Sequence, residues 1–311
     1  MSKFLVTGGA GFIGLNVVHQ LSGQGEKVVV YDNFSSGKKK WTRELSKDVK
    51  LVEGSILELK EVKKAVRSCD YVIHLAGQPS VLKSVKDPME SLETNAMGTL
   101  NVLTAARDAN VKRFIYVGSA AAYGESPSLP KLEVMNDTPL SPYAVGTIAA
   151  ENQCRVFFNT YGLQTVILRA FNVFGPYQDT SSPYGAVVAR FVQQLIDGKT
   201  PIVSGDGKQS RDFIYVADLL EAIKSACIAP KAEGELFNIG TGSRITINGL
   251  VNLINGILGK EIQPKYEEAR PGDIRHSLAD ITKAQEMLGF HPRVSIMDGL
   301  RTTIEWYRKN K

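Results

Sequence analysis

Thr7-Gly8-Gly9-Ala10-Gly11-Phe12-Ile13-Gly14 follows directly on the apolar run Phe4-Leu5-Val6. The stretch satisfies both Gly-x-Gly-x-x-Gly and the wider Gly-x-x-Gly-x-x-Gly spacing. Glycines here permit a tight turn and let the backbone approach a pyrophosphate, which then rests on the N–H groups opening the next helix. The pattern alone means little, and its position gives it value. It lies between a predicted strand and a predicted helix over Phe12 to Leu21, and Asp32 closes the second strand about twenty residues later, where a carboxylate accepts hydrogen bonds from the adenosine ribose. The same carboxylate repels a 2′-phosphate, so NAD is expected rather than NADP. The competing signal, Lys38-Lys39-Lys40, reads as a solvated loop.

Outward from this turn, short β-branched runs alternate with helical segments, the rhythm of a parallel sheet covered by helices. Strands are predicted at Phe4 to Val6, Val28 to Tyr31, Lys50 to Val52, Tyr71 to Leu75, Phe114 to Val117 and Val166 to Leu168. Helices are predicted at Leu59 to Val66, Asn95 to Arg107, Pro142 to Tyr161, Val187 to Asp197, Val216 to Ile228, Ile247 to Leu258 and Met297 to Lys309. Past about Gly175 the pattern becomes looser. The expected fold class is α/β: a Rossmann-type doubly wound parallel sheet with a smaller α/β C-terminal substrate domain. The boundary is expected at 175/176, with segments near 211–243 returning to the first domain.

The 311 residues are 43% hydrophobic and 22% charged, with no low-complexity tract, which excludes a disordered chain. A net charge of +5 from scattered basic residues is too diffuse for a nucleic-acid-binding stripe, though it suits an anionic small substrate. Cys69, Cys154 and Cys227 form no Cys-x-x-Cys pair for zinc or redox work, so no metal is expected and a reducing, cytoplasmic setting fits. No run of about 18 apolar residues occurs, so no membrane span is expected.

Val117-Gly118-Ser119-Ala120-Ala121-Ala122-Tyr123-Gly124 ends a predicted strand, and Leu140-Ser141-Pro142-Tyr143-Ala144-Val145-Gly146-Thr147 opens a predicted helix. Together with the glycine turn, these resemble the extended short-chain dehydrogenase/reductase family, in particular its nucleotide-sugar 4-epimerases. Further matches run in order along essentially the whole chain: His74-Leu75-Ala76, Asn95, Phe171-Asn172-Val173-Phe174-Gly175-Pro176, Arg211-Asp212-Phe213-Ile214, Asn238-Ile239-Gly240-Thr241-Gly242 and Arg270-Pro271-Gly272-Asp273. The resemblance implies that Ser119 hydrogen-bonds the sugar 4-hydroxyl and that Tyr143 removes its proton as hydride leaves C4. An alcohol releases hydride only if its O–H proton leaves too, and a phenolate within reach is a suitable acceptor. The 4-keto sugar then turns and takes the hydride back on its other face. The implied cofactor contacts are Gly8, Gly11, Phe12, Ile13, Gly14, Asp32, Asn33, Ser35, Gly37, Ser55, Ile56, Leu75, Ala76, Gly77, Asn95 and Tyr143. The implied contacts to a UDP-sugar are Lys83 (in the loop after the fourth strand), Ser119, Tyr143, Asn172, Arg211, Arg270, Asp273 and Ser277, with Arg211 and Arg270 on the diphosphate. Small Ser277 implies room for an N-acetyl group. The helices Asn95 to Arg107 and Pro142 to Tyr161 imply a homodimer.

Carboxyl groups beside the hydroxyl residue serve the family's dehydratases and decarboxylases. Ala120 and Ala121 stand there, which leaves epimerisation or simple reduction, the latter consuming external NAD(P)H. The family motif is Tyr-x-x-x-Lys, but Thr147 follows Tyr143 by four. The lysine lowers the tyrosine pKa and binds the nicotinamide ribose, whereas threonine offers a hydroxyl and no charge. An engineered inactivation, a natural low-activity enzyme and a ligand-binding pseudoenzyme are all compatible with Thr147. A second departure is Ser55 in Glu53-Gly54-Ser55-Ile56, where relatives usually carry Asp against adenine, so slightly weaker cofactor binding is expected.

Overall fold

In a computed structural model, residues 1–179, 187–269 and 274–310 are described. Seven strands form one sheet: β1 (Lys3–Thr7), β2 (Lys27–Asp32), β3 (Lys50–Glu53), β4 (Tyr71–His74), β5 (Arg113–Ser119), β6 (Thr165–Ala170) and β7 (Leu236–Ile239). Their spatial order is β7-β6-β5-β4-β1-β2-β3, and every pairing is parallel. The order reverses between β1 and β4, which opens a crevice outside their carboxyl ends. Alternate residues of β1 serve opposite faces, with Phe4 and Val6 in one core cluster and Leu5 in the other. The helices Phe12–Gly23 and Val216–Ile228 cover the first face, and Leu59–Val66, Thr99–Asp108 and Pro142–Tyr161 cover the second. Both faces are dry, which is why these strands read as nearly continuous apolar runs.

All six expected strands are present. The seventh was not among them because Leu236-Phe237-Asn238-Ile239 holds a polar residue at its centre. Asn238 is fully buried and satisfied: Tyr123 Oη donates to its Oδ1 at 2.6 Å, and its Nδ2 donates to the Lys131 carbonyl at 2.8 Å. A third apolar cluster joins the helices Val187–Ile196, Ile247–Leu258 and Ile296–Lys309 through Phe191, Leu195, Leu250, Ile254, Leu300 and Ile304.

The helix Pro142–Tyr161 is set by local chemistry at both ends. Ser141 Oγ accepts the Ala144 N–H at 3.2 Å, Pro142 occupies the first helical position, and Gly162 closes the helix at φ +71°. Tyr143 is thereby fixed in the first turn, beside the end of β5. The helix expected over Asn95 to Arg107 is interrupted: Glu93–Gly98 forms a wide π turn before Thr99–Asp108. Lys83 was expected in a loop, but it belongs to a short helix, Val81–Lys86, because Ser80 Oγ caps it by accepting the Lys83 N–H at 3.1 Å.

Candidate active site

A cleft of about 1370 Å³ opens over the carboxyl ends of β1, β2, β4 and β5. Its floor is the glycine turn. Gly8 has φ +69°, and a Cβ there would lie 2.7 Å from the Ala76 nitrogen; a Cβ on Gly14 would lie 2.2 Å from the Gly8 oxygen. Side chains at these places would fill the cradle, so the turn fits a dinucleotide pyrophosphate. Asp32 braces it by accepting the Ala10 N–H at 2.9 Å and the Phe34 N–H at 2.7 Å. Burial pushes the Asp32 pKa up, and these two bonds pull it back.

Of the expected cofactor contacts, Gly8, Gly11, Phe12, Ile13, Gly14, Asp32, Asn33, Ser35, Gly37, Ser55, Ile56, Leu75, Ala76, Gly77 and Tyr143 line this cleft. So do Lys83, Ser119, Asn172, Arg211 and Ser277 of the substrate set. Arg270 and Asp273 lie outside the described residues. Asn95 and Thr147 line a smaller cavity of about 70 Å³ beside Tyr143, which shares Leu75, Ala76, Gly77 and Tyr143 with the cleft. The Asn95 amide is engaged by the Gln78 backbone, accepting its N–H at 2.7 Å and donating to its carbonyl at 3.2 Å. It therefore holds the loop after β4 that walls the cleft. Lys83 pairs with Glu90 at 2.5 Å, and Asn172 Nδ2 donates to the Asp212 carbonyl at 2.8 Å.

Ser119 ends β5 and lines the cleft with Tyr143, whose phenol burial pushes toward a higher pKa against the pull of the Ser119 and Thr147 hydroxyls. Tyr143, Thr147 and Glu151 recur every four residues on one face of their helix. Thr147 is buried, and its Oγ1 donates to the Tyr143 carbonyl at 3.0 Å. Arg169 on β6 clasps Glu151 through contacts of 2.9, 3.1 and 2.5 Å and meets Asp137 at 2.6 Å. Its guanidinium is thus neutralised by two carboxylates and supplies no free charge to Tyr143.

The sequence reading missed several lining residues. Trp41 and Tyr177 line the cleft with ring centroids 5.7 Å apart, and Lys38, expected in a solvated loop, reaches Asp179 at 2.5 Å from across the cleft and lies over Trp41. The solvated reading describes Lys39 and Lys40, which are exposed. Gln78 and Arg190 also line the cleft. A single cation in the apolar stretch Val187-Val188-Ala189-Arg190-Phe191 was the available signal for Arg190.

The sheet order, the glycine cradle and the Ser119–Tyr143 pair define an extended short-chain dehydrogenase/reductase. The family described as NAD dependent epimerase/dehydratase matches residues 4–240, and the chain belongs to it; its cofactor is NAD. The chain is 36% identical over 315 residues to the UDP-glucose 4-epimerase of Mycolicibacterium smegmatis, with 98% of each protein covered. It is similar to the crystal structure of a Thermotoga maritima UDP-glucose 4-epimerase with UDP-glucose, at TM-score 0.95 and 38% identity, covering 99% of both chains. It also resembles a UDP-N-acetylglucosamine 4-epimerase from Methanobrevibacter ruminantium M1 in complex with UDP-N-acetylmuramic acid, at TM-score 0.94 and 36% identity, covering 100% of this chain and 99% of that one.

Proposed function

We propose that the chain is an NAD-dependent 4-epimerase of UDP-hexoses, acting on the UDP-GlcNAc/UDP-GalNAc pair and on UDP-Glc/UDP-Gal. The observation that carries this reading is that Ser119 and Tyr143 line one cleft, within a wall that also holds Arg211 and Ser277. Gly8, Gly11, Gly14 and Asp32 would hold NAD, which when bound accepts hydride from sugar C4 and returns it. Tyr143 takes the C4 hydroxyl proton and gives it back after the ketone has turned, so the chain ends each cycle in its starting protonation state. Ser119 holds that hydroxyl oxygen in line, and Arg211 presents a planar fork to the diphosphate.

A second reading, a nucleotide-sugar and NAD-binding protein with impaired turnover, is favoured by Thr147, whose hydroxyl is engaged by backbone. Incubation with a panel of UDP-sugars separates the two. Interconversion of UDP-GlcNAc and UDP-GalNAc, lost in Tyr143→Phe, supports the epimerase; binding without interconversion at any pH supports the other. A homodimer also fits the surface, because Met97 is 53%, Val145 45% and Val156 51% exposed on neighbouring helices. Introducing Glu at Met97 and Val156 together should then yield a monomer by light scattering.

A further inference from the structure

We propose that the small cavity behind Tyr143 is a binding site for a small primary ammonium ion, such as ammonium or methylammonium, which takes the place of the cationic side chain the family motif puts at Thr147. The proposal rests on the reading of Tyr143 as the base. The cavity measures about 70 Å³, is walled by Tyr143, Thr147, Tyr116, Asn95, His74 and Gln78, and adjoins the cofactor cleft along Leu75 to Gly77. A water needs roughly 10–15 Å³ measured in this way, so there is room for a few waters or for one ammonium with a short carbon chain. Thr147 is the reason for the space: its side chain stops at the γ position and turns back to the Tyr143 carbonyl.

The wall selects the charge and type of guest. Among the described residues it carries hydroxyls of Tyr143, Tyr116, Thr147 and Thr99 and no carboxylate, which suits a singly charged hydrogen-bond donor better than a divalent metal. Among the described residues, no lysine or arginine lines it. His74 is held neutral, because complete burial drives its pKa down to about 3. Gln78, which lines both this cavity and the cleft, has a buried Nε2 without a partner among the described residues, and polar cavities with orphan groups hold guests where apolar ones stay dry.

The groups facing Tyr143 leave its developing charge uncompensated. Glu151 on its own helix is negative and is matched by Arg169 from β6, which also holds Asp137. Tyr116 from β5 and His74 from β4 are neutral, and Lys83 from Val81–Lys86 pairs with Glu90. An ammonium in the cavity would donate to the Tyr143 phenolate oxygen and to neighbouring hydroxyls, favouring the ionised form. Each unit by which it lowers the phenol pKa raises the ionised fraction about tenfold at neutral pH.

The test uses the NAD-loaded protein at pH 7 and constant ionic strength. Methylammonium should accelerate UDP-sugar interconversion saturably, by about tenfold or more. Tetramethylammonium, too large and unable to donate, should not. The acceleration should vanish in Thr147→Lys, which brings its own charge, and in Thr147→Met, which fills the space. Independently of turnover, methylammonium should lower the midpoint of the tyrosinate absorbance that distinguishes the chain from Tyr143→Phe. If Thr147→Lys raises the rate but methylammonium changes neither rate nor midpoint, the site is disproved while Tyr143 remains the base. If Thr147→Lys and Tyr143→Phe both leave the rate unchanged, the reading of Tyr143 fails, and the absorbance titration alone then decides the site. Equal acceleration by tetramethylammonium would overturn it as a salt effect.

Discussion

Thr147 stands one helical turn beyond Tyr143 and donates its only hydroxyl proton back to the Tyr143 carbonyl, 3.0 Å away. A threonine bonded in this i−4 manner has no proton left to donate to a phenolate and carries no charge. The nearby cation, Arg169, is clasped by Glu151 and Asp137. Burial raises the Tyr143 pKa, and among the described lining residues of the cavity behind it no positive side chain opposes that rise.

Thr147→Lys is therefore expected to increase turnover at pH 7 and to move the pH optimum down. A free phenol titrates near 10, so about one part in a thousand is ionised at neutral pH. A lysine ammonium and an oxidised nicotinamide that together lower it by about three units would ionise roughly half. Losing all of that costs up to about 4 kcal/mol, and since the nicotinamide charge remains, the loss here should be on the order of ten- to a few-hundred-fold in rate. Activity of the present chain should rise with pH as the phenolate fraction grows. Profiles of kcat against pH for the two proteins check this; full activity at pH 7 that the substitution leaves unchanged would show that another group supplies the charge.

Asp32→Ala should release NAD without loosening the UDP-sugar. The carboxylate ties the glycine turn to the end of β2 through the Ala10 and Phe34 amides, so its removal loses a brace of the cradle together with the acceptor proposed for the ribose. Nucleotide content after gel filtration should fall sharply while UDP-sugar binding by calorimetry changes little. NADP binding as tightly as NAD to the unaltered protein would contradict the role given to this carboxylate.

Much of this site was legible because its chemistry is local in sequence. The glycine turn follows from spacing that backbone geometry dictates, while Ser119 at a strand end and Tyr143 two residues after a capping Ser141 were legible through the family resemblance of the short motifs that hold them. What escaped depends on distant partners. Asn238 breaks the apolar pattern of its strand, and only Tyr123 and Lys131 show how it is satisfied inside the sheet. Lys38 looks solvated until Asp179, 141 positions away, meets it across the cleft. Asn95 lies on the expected helix, but only the π turn and the Gln78 backbone show that its amide holds a loop.

His74 should make the fold acid-sensitive. Thr99 Oγ1 donates to the Asn95 carbonyl at 2.6 Å, so it accepts from His74 Nε2 at 3.0 Å, and His74 Nδ1 accepts from Thr7 Oγ1 at 2.6 Å. The neutral ring with its proton on Nε2 satisfies this chain, and a second proton has no acceptor. The folded pKa of about 3 lies below the ordinary 6.5, so the unfolded chain binds the extra proton first as pH falls. The stabilisation is complete above about 6.5 and declines from there toward 3, reaching a loss of about 2–3 kcal/mol near pH 4.5 at 1.36 kcal/mol per unit. Urea unfolding at pH 7 and 4.5 should show this extra loss in the parent but not in His74→Gln. Equal losses in both would place the acid sensitivity elsewhere.

Ser277 is expected to set the size of sugar the cleft admits. It is 8% exposed, its amide donates to the Ser210 carbonyl at 3.0 Å, and it shares the cleft wall with Ser119, Tyr143 and Arg211. That amide bond fixes where its side chain stands, so a larger residue grows into the cleft. With Ser277 facing the sugar 2-substituent, as the family resemblance implies, a phenol ring in place of the hydroxymethyl group would overlap an N-acetyl substituent but leave a 2-hydroxyl untouched. Overpacking of this kind costs about 1–3 kcal/mol, which corresponds to roughly 5- to 150-fold in affinity. Ser277→Tyr should therefore lose binding of UDP-GlcNAc and UDP-GalNAc by that factor while UDP-Glc and UDP-Gal bind nearly as before. Titration calorimetry on all four sugars decides the matter, and equal affinity of the variant for acetylated and plain sugars would remove Ser277 from the specificity argument.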